Sequence, residues 1–324
     1  MRKRIIITGG AGFIGSHLCE KFLKDRCSVV CVDNLITGQK KNINHLLKNQ
    51  NFHFLQADIT QKKTIKKILA ISRQPSAINY ILHFASPAGP NPHSPLSYYQ
   101  MPIKTYLVNS LATHRLLRLA QKIKAGFLFA STSEIYGSPL EHPQKETYFG
   151  NTNPVGPRAC YDESKRFGEM AAMTFAKKYQ LPAKIIRIFN TYGPRMNPQD
   201  GRAIPTFITR ALTNQPITIF GSGRQTRSFC YISDLVEGIM KVVEKGQNGQ
   251  VYNLGSPEEV TINKTAELII KLTNSRSKLK HQTGLQDDPQ KRCPDISKAK
   301  KELGWQPVIN FEKGLKKTIS WFKL

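Results

Sequence analysis

The stretch that decides the fold is residues 4–15, RIIITGGAGFIG, near the start of the 324-residue sequence. Its first part, Ile5 to Thr8, is a run of β-branched residues, which predicts a buried strand. Glycines follow at positions 9, 12 and 15, and a helical pattern begins at Phe13. Glycines at this spacing allow a tight turn and bring the backbone against a pyrophosphate at the N-terminus of the helix. We therefore predict a strand, a glycine turn (residues 9–15) and a helix that together bind a dinucleotide.

The alternation of short strands and helices continues beyond this stretch. Strands are predicted at 4–8, 28–33, 52–56, 78–84, 127–131 and 185–189. Helices are predicted at 13–24, 62–71, 104–122 and 160–179. Alternating strands and helices form right-handed βαβ units with a parallel sheet. The predicted fold class is therefore α/β, a doubly wound parallel sheet or Rossmann fold. In the 104–122 helix, one face is predicted to carry Leu107, Leu111, His114, Leu117 and Ala120.

The pattern changes after Asn190. Proline- and glycine-rich connections, such as 192–195 and 220–224, separate shorter elements and indicate a smaller second lobe. A strand at 251–254 is predicted to return to the main sheet. We expect a dinucleotide-binding domain at 1–190, to which 229–256 returns. A smaller C-terminal lobe at 191–228 and 257–324 is expected to bind the substrate.

The composition narrows the class of protein. The chain has 48 Lys and Arg and 22 Asp and Glu, and the net charge of +26 is spread as lysine doublets rather than one block. This distribution is typical of a solvated surface, so we expect no nucleic-acid partner, although the charge would attract an anionic substrate. An apolar window of ~18 residues and a signal-peptide core are both lacking, which predicts a cytoplasmic protein without a membrane partner. Six scattered cysteines without a C-x-x-C pair predict neither disulfides nor a metal site.

Asp33 identifies the dinucleotide. It ends the second predicted strand, eighteen residues after Gly15, where a carboxylate accepts hydrogen bonds from a ribose 2′-hydroxyl and repels a 2′-phosphate. We therefore predict NAD rather than NADP as the cofactor. Asn109 is a candidate for the nicotinamide ribose, with a helix cap or a cross-link between helices as the alternatives. The other candidate cofactor contacts are Gly9, Gly12, Phe13, Ile14, Asn34, Asp58, Ile59 and Ala85.

Tyr161 and Lys165 are the candidate chemical pair. Their i,i+4 spacing places both on one face of the predicted helix. A phenol has an unperturbed pKa near ~10, and a neighbouring ammonium favours the phenolate. We expect Tyr161 to take a hydroxyl proton while a hydride leaves for the nicotinamide. A surface pair without chemistry is the alternative, and the preceding dinucleotide motif favours catalysis.

The segment 131–137, STSEIYG, follows the apolar run 126–130. An unpaired charge at the end of a buried strand is costly. Glu134 is therefore either a capping or ion-pairing residue or a residue that works on a substrate. Ligands of a doubly wound sheet bind beyond the carboxyl ends of the strands, which favours the second role.

Several longer motifs accompany these residues. They are G-x-x-G-x-x-G at 9–15, Y-x-x-x-K at 161–165, and the stretches 102–105, 130–137, 153–163, 187–196, 225–229 and 287–292. On these motifs the chain resembles the extended short-chain dehydrogenase/reductases of the NAD-dependent epimerase/dehydratase family, and more narrowly the UDP-glucuronate decarboxylases. The resemblance covers essentially the whole chain. Its departures from the usual pattern are Met101, Ser164 and Cys293.

The resemblance implies that C4 of UDP-glucuronate is oxidised with NAD⁺, that the β-keto acid loses CO₂, and that the retained NADH then gives UDP-xylose. It assigns proton transfer to Tyr161, which Lys165 tunes. It also implies a homodimer joined by a four-helix bundle from helices 104–122 and 160–179. The remaining implied site residues are Thr132 or Ser133 at the C4 oxygen, Glu134 by C5 and C6, Arg292 near the carboxylate, Asn190 and Arg227 at the UDP moiety, and Lys104, Tyr148 and Arg195 as weaker substrate candidates.

Alternative functions stay open at the level of sequence. A UDP-sugar 4-epimerase and a 4,6-dehydratase share nearly all of these motifs. A dehydratase normally carries Asp-Glu where this chain has Ser133 and Glu134, and an epimerase usually lacks the Glu. A non-catalytic NAD-dependent regulator that binds nucleic acid would use the charge of +26. The product, UDP-xylose or a released 4-keto pentose, also stays open.

Overall fold

The computed structural model describes residues 2–71 and 78–324, and a parallel sheet of seven strands lies at its centre. The strands of the described residues are β1 (Arg4–Thr8), β2 (Ser28–Asp33), β3 (Phe52–Gln56), β4 (Ile78–His83), β5 (Gly126–Thr132), β6 (Ala183–Ile188), β7 (Thr191–Tyr192), β8 (Ile217–Phe220), β9 (Thr226–Ser228), β10 (Cys230–Tyr231), β11 (Val251–Leu254), β12 (Glu259–Thr261) and β13 (Leu279–Gln282). The central order is β11-β6-β5-β4-β1-β2-β3, and each neighbouring pair is parallel. The predicted doubly wound α/β fold is confirmed.

Helices cover both faces of this sheet. They are α1 (Phe13–Lys24), α2 (Lys62–Ile71), α3 (Pro102–Leu107), α4 (Thr113–Ile123), α5 (Ala159–Tyr179), α6 (Ala203–Leu212), α7 (Ile232–Lys245), α8 (Ile262–Thr273), α9 (Ser297–Leu303) and α10 (Phe311–Phe322). Ile6 of β1 belongs to the apolar core under α4 and α5, whereas Ile5 and Ile7 belong to the core under α1 and α7. Alternate strand residues point to opposite faces, so burial on both faces explains the continuous apolar run.

The strand order positions the site. β1 lies between β2 and β4, so the sheet is built outward in both directions from this strand. Ligands of open α/β sheets bind at this point, beyond the carboxyl ends of the strands. The glycine turn after β1 and the segment after Thr132 of β5 therefore face the same space.

The predicted helix 104–122 is interrupted in the structure. A π-helical turn, Val108–Ala112, separates α3 from α4. A π turn holds an extra residue, so it rotates the side chains that follow it relative to those before it. The predicted common face is wrong for this reason: Leu117 and Ala120 are buried, whereas Leu111 and His114 are exposed.

The C-terminal part of the chain adds small sheets beside the central one. β8 pairs with β13 and β9 pairs with β12, while β11 returns to the central sheet beside β6, as the sequence predicted. The division into two functional lobes stays a prediction. Within residues 2–71 and 78–324, no helix has the length and apolarity that crossing a membrane requires.

Candidate active site

A cavity of about 600 Å³ lies beyond the carboxyl ends of the central strands. It is a continuous space that joins the glycine turn, the end of β5, the start of α5 and the smaller C-terminal sheets. The predicted site residues that line it are Gly9, Gly12, Phe13, Ile14, Gly15, Asp33, Asn34, Asp58, Ile59, Ala85, Lys104, Thr132, Ser133, Glu134, Tyr161, Lys165, Asn190, Arg195 and Arg227. Three others, Asn109, Tyr148 and Arg292, lie outside this lining.

The glycine turn has the geometry that a pyrophosphate requires. Gly9 has φ +72°, and a Cβ there would lie 2.6 Å from the Ala85 amide nitrogen. A Cβ on Gly15 would overlap the Gly9 carbonyl oxygen. Helix α1 starts after Gly12 with neither a side-chain cap nor an acidic residue in its first turn. Its first amides therefore face the cavity uncapped, which suits an anion at a helix N-terminus.

Asp33 lies at the far side of the same turn. Its Oδ2 accepts a hydrogen bond from the Ala11 amide at 3.0 Å, and its Oδ1 accepts one from Leu35 at 2.8 Å. Burial raises the pKa of Asp33, and the amides of Leu35 and Ala11 oppose that shift. The Asp33 carboxylate is therefore fixed in the cavity wall, and its assignment to the ribose of a dinucleotide stays a prediction. Together, the turn and Asp33 are compatible with the dinucleotide.

Tyr161 and Lys165 share one face of α5, as their spacing predicts. The Lys165 Nζ donates to the Ala130 carbonyl oxygen at 2.7 Å and lies 5.7 Å from the centroid of the Tyr161 ring. Burial lowers the pKa of Lys165 to about 7, and the Glu169 charge opposes this. Burial also raises the pKa of Tyr161, and a hydrogen bond with Thr132 opposes that shift. Tyr161 therefore keeps its proton near neutral pH unless a positive charge in addition to Lys165 lies next to it.

Asn109 lies in the π-helical turn. Its side chain is fully buried, and its Nδ2 donates to the Ser164 Oγ at 3.0 Å. The Ser164 hydroxyl in turn donates to the Tyr161 carbonyl oxygen at 3.0 Å. Asn109 therefore forms a cross-link, which is one of the alternatives that the sequence left open. Ser164, a departure from the usual family pattern, is the acceptor of that cross-link.

Two predicted substrate residues have unexpected neighbours. Tyr148 stacks on Tyr136, with ring centroids 5.9 Å apart, and its hydroxyl accepts a hydrogen bond from the Leu140 amide. Arg195 lines the cavity but forms an ion pair with Glu20 of α1. Tyr148 therefore supports the loop after β5, and Arg195 lies at the glycine-turn end of the cavity.

Glu134 is held between two arginines. Its Oε2 pairs with the Arg158 guanidinium, and its Oε1 pairs with the Arg292 guanidinium. Arg292 is 2% exposed and also donates to the Gly137 carbonyl oxygen at 2.8 Å. Burial by itself raises the pKa of Glu134, but the two arginines outweigh burial and hold that pKa at about 2. The carboxylate is therefore charged throughout the neutral range, and Thr132, not Glu134, caps the turn after β5.

Arg158 lines the cavity, and no role for it was predicted from the sequence. Its guanidinium also faces Asp162 at 3.8 Å and Asp288 at 3.7 Å. Two signals could have found it: Arg158 lies in the motif stretch 153–163, and it stands three residues before Tyr161. We refer below to the charge cluster, which comprises Glu134, Arg158, Asp162, Asp288 and Arg292.

The fold, the glycine turn and the Tyr161 and Lys165 pair define a short-chain dehydrogenase/reductase of the kind that modifies nucleotide sugars. The family model that matches residues 6–318 is described as GDP-mannose 4,6 dehydratase. UDP-glucuronic acid decarboxylase 1 from Danio rerio is 46% identical over 321 residues, 99% of this chain and 73% of the relative. The chain belongs to the UDP-glucuronic acid decarboxylase family.

Solved structures of the same superfamily share the fold over the whole chain. UDP-glucose 4-epimerase from Thermotoga maritima, with UDP-glucose, has a TM-score of 0.88 and 30% identity, and the match covers 99% of this chain and 98% of that one. dTDP-glucose 4,6-dehydratase from Bacillus anthracis, in complex with NAD, has a TM-score of 0.85 and 28% identity, with 99% and 96% covered. These enzymes catalyse different reactions, so the fold alone does not show which reaction this chain catalyses.

Proposed function

We propose that this chain binds NAD and converts UDP-glucuronate to UDP-xylose by decarboxylation. The observation that carries the proposal is that one cavity joins the buried Tyr161 and Lys165 pair to a Glu134 carboxylate held by two arginines. The 46% identity to a UDP-glucuronic acid decarboxylase supports the same reaction. NAD as the cofactor is supported by the uncapped start of α1, by Asp33, and by the NAD-bound dehydratase relative.

Tyr161 is the residue that we assign to proton transfer at the C4 oxygen. Its phenol takes the hydroxyl proton during oxidation and returns a proton during the final reduction. Bound NAD⁺ would supply the hydride acceptor at C4 and, as NADH, the hydride donor. Lys165 provides a positive charge on the same helix face, which favours the phenolate. The hydroxyl of Thr132 or Ser133 holds the C4 oxygen.

Decarboxylation follows from the C4 carbonyl. When the C5–C6 bond breaks and CO₂ leaves, the electron pair moves to the C4 oxygen, where the Thr132 or Ser133 hydroxyl stabilises the enolate. A proton then adds at C5. The pKa of Glu134, about 2, makes this carboxyl a poor proton donor, so we assign it to orienting the sugar or the water that protonates C5. Arg292 keeps Glu134 in place from outside the cavity lining, and its positive charge favours binding of the substrate carboxylate without direct contact.

The UDP moiety is assigned to the smaller lobe, 191–228 with 257–324. Asn190 and Arg227 line the cavity on that side, and Arg227 donates to Asp288 at 2.8 Å. Lys104 lines the cavity from α3. A guanidinium suits a diphosphate because its planar fork donates two hydrogen bonds to one anion.

The reaction is tested by incubating the purified protein with NAD⁺ and UDP-glucuronate and following the nucleotide sugar by NMR. The proposal predicts UDP-xylose without net NADH. UDP-4-keto-pentose with stoichiometric NADH would indicate an enzyme that stops after decarboxylation. UDP-galacturonate, which keeps the carboxylate, would indicate a 4-epimerase and would contradict the proposal.

We also propose a homodimer through α3 and α5. These two helices and the π-helical turn after α3 carry an outward-facing apolar surface formed by Ile103, Tyr106, Leu111, Phe167 and Met170, which are 37–57% exposed. Met170→Glu should convert a dimer to a monomer in light scattering, at half the dimer mass, because a buried charge opposes the contact. The matched control is Val308→Glu, since Val308 is 77% exposed elsewhere. A wild-type protein at 36.6 kDa, the mass of one chain, would contradict the dimer.

We place the protein in a reducing compartment such as the cytoplasm. All six cysteines are free thiols, and five of them are buried. Unpaired cysteines in this number are typical of compartments that keep thiols reduced.

A further inference from the structure

Arg158 occupies the centre of the charge cluster. Its Nη2 pairs with Glu134, its Nε lies 3.8 Å from Asp162 Oδ2, and its Nη1 lies 3.7 Å from Asp288 Oδ1. These carboxylates come from three separate parts of the chain: the turn after β5, the first turn of α5 and the segment before α9. The Arg158 side chain is only 5% exposed, so its charge must be met by these partners rather than by water.

The backbone of Arg158 ties this guanidinium to the helix that carries the chemical pair. Its carbonyl oxygen accepts hydrogen bonds from the amides of Tyr161 at 3.0 Å and Asp162 at 3.1 Å. Arg158 therefore forms the N-terminal cap of α5 through its backbone and holds Glu134 through its side chain. One residue thus joins the proton-transfer side of the cavity to the carboxylate side.

Arg158 and Arg292 hold Glu134 differently. Arg292 lies behind Glu134, outside the cavity lining, and is anchored to the Gly137 carbonyl. Arg158 lines the cavity and binds the other carboxylate oxygen. With one oxygen on each guanidinium, the Glu134 carboxylate has a single orientation, and removal of either arginine would allow it to rotate.

We propose that Arg158 is a positioning residue for decarboxylation, which fixes the Glu134 carboxylate against the sugar and aligns it with Tyr161. This role rests on the proposed decarboxylase function. Asp162 faces the Nε atom of Arg158, beside the Nη2 atom that pairs with Glu134. Burial and the Glu134 charge raise the pKa of Asp162, whereas the arginines hold the pKa of Glu134 low, so Glu134 is the stronger ion-pair partner of Arg158.

The ionisation of Glu134 gives a readout that a purely structural role would not move. Among the described residues, the titratable groups that face Glu134 besides Arg158 and Arg292 include Arg227, Arg202, Asp162, Tyr98, Tyr99 and Tyr161. The arginines hold the pKa of Glu134 low, and burial opposes them. Loss of Arg158 should therefore raise the pKa of Glu134. As the pH falls, any step that needs the ionised carboxylate should then be lost at a higher pH than in the wild type.

The test compares Arg158→Gln, Arg158→Lys and the control Arg276→Gln, an exposed arginine outside the cavity. Single-turnover release of ¹⁴CO₂ from labelled UDP-glucuronate is measured between pH 4 and 8, at about half-unit steps, with saturating NAD⁺. We expect Arg158→Gln to lower the rate about 100-fold, as the loss of one electrostatic contact in a buried site does. The wild type, in which the pKa of Glu134 is about 2, should show no acid limb in this range, whereas Arg158→Gln should show one, with NAD⁺ affinity unchanged.

Arg158→Lys keeps the positive charge but lacks the planar guanidinium, so its rate should fall without an acid limb in this range. Arg276→Gln should behave like the wild type. A wild-type rate in either Arg158 variant would overturn the proposal. If Arg158→Gln loses the same factor at every pH and shows no acid limb, Arg158 has only a structural role, and that result would also overturn the proposal.

A second readout does not depend on turnover. The ¹³C-carboxyl resonance of Glu134, assigned by its absence in Glu134→Gln, should titrate at higher pH in Arg158→Gln than in the wild type. If the wild type releases no CO₂, the proposed function fails, and this titration still decides whether Arg158 holds Glu134. An unchanged titration would overturn the inference while leaving decarboxylation by the wild type intact.

Discussion

The two ends of the cavity are built by different means. At the glycine turn, the contacts are backbone amides and the space left by missing side chains, and Asp33 is the acidic group that lines this end next to the turn. At the charge cluster, buried guanidiniums and carboxylates from distant parts of the chain neutralise one another. The first end depends on shape and the second on charge. Substitutions should therefore separate cofactor binding from decarboxylation.

The largest effect is expected between the two ends, at Tyr161. Tyr161→Phe removes the phenol that carries the C4 proton, and general acid–base groups contribute about 10²–10⁴-fold. We expect UDP-xylose formation to fall about 1,000-fold while NAD⁺ binding is kept, as measured by NMR and calorimetry. Tyr179→Phe is the control, because Tyr179 is 43% exposed at the end of the same helix. A loss of less than tenfold in Tyr161→Phe would remove this residue from proton transfer.

The next effect tests the shape of the glycine turn. In Gly15→Ala the added Cβ overlaps the Gly9 carbonyl oxygen, so the turn must shift. We expect NAD⁺ affinity to fall about 100-fold, equivalent to the ~3 kcal/mol that an overpacked methyl group costs. Gly284→Ala is the matched control, because the nearest atom to its Cβ is 3.8 Å away. NAD⁺ affinity that survives in a folded Gly15→Ala protein would disprove the role of this turn.

A smaller effect tests how charge acts at the chemical pair. Burial lowers the pKa of Lys165 to about 7, and Glu169 opposes this. The ammonium is therefore lost as pH rises through about 7, and kcat/KM should fall on that side. Glu169→Gln removes the opposing charge, so the alkaline limb of the kcat/KM profile should move about one pH unit to lower pH. Glu163→Gln, on the same helix, is the control. An unmoved limb in Glu169→Gln would show that the Lys165 ammonium does not control the rate.

The difference between the two ends also explains what the sequence could predict. The turn, Asp33 and the Tyr161 and Lys165 pair are local patterns, and each has its cause within a few residues of chain. Arg158 could not be assigned in this way, since its partners Glu134 and Asp288 are 24 and 130 positions away. The interruption at Val108–Ala112 has no breaker residue in its sequence, so periodicity alone predicted one helix.

The predicted substrate residues show the same limit. The sequence could propose Arg292 and Tyr148 only through the family resemblance. Packing decides that Arg292 reaches Glu134 from behind the cavity wall and that Tyr148 stacks on Tyr136. In both cases the decisive contact joins segments whose approach depends on the whole fold.

The most direct test is calorimetric titration of NAD⁺ into the wild type, Gly15→Ala and Glu134→Gln, combined with the NMR assay of UDP-glucuronate on the same samples. If shape serves the cofactor and charge serves decarboxylation, Glu134→Gln keeps NAD⁺ affinity within about twofold and loses about 100-fold in UDP-xylose formation. Gly15→Ala loses NAD⁺ affinity itself. A Glu134→Gln protein that loses NAD⁺ affinity as strongly as Gly15→Ala would contradict the separation of the two ends.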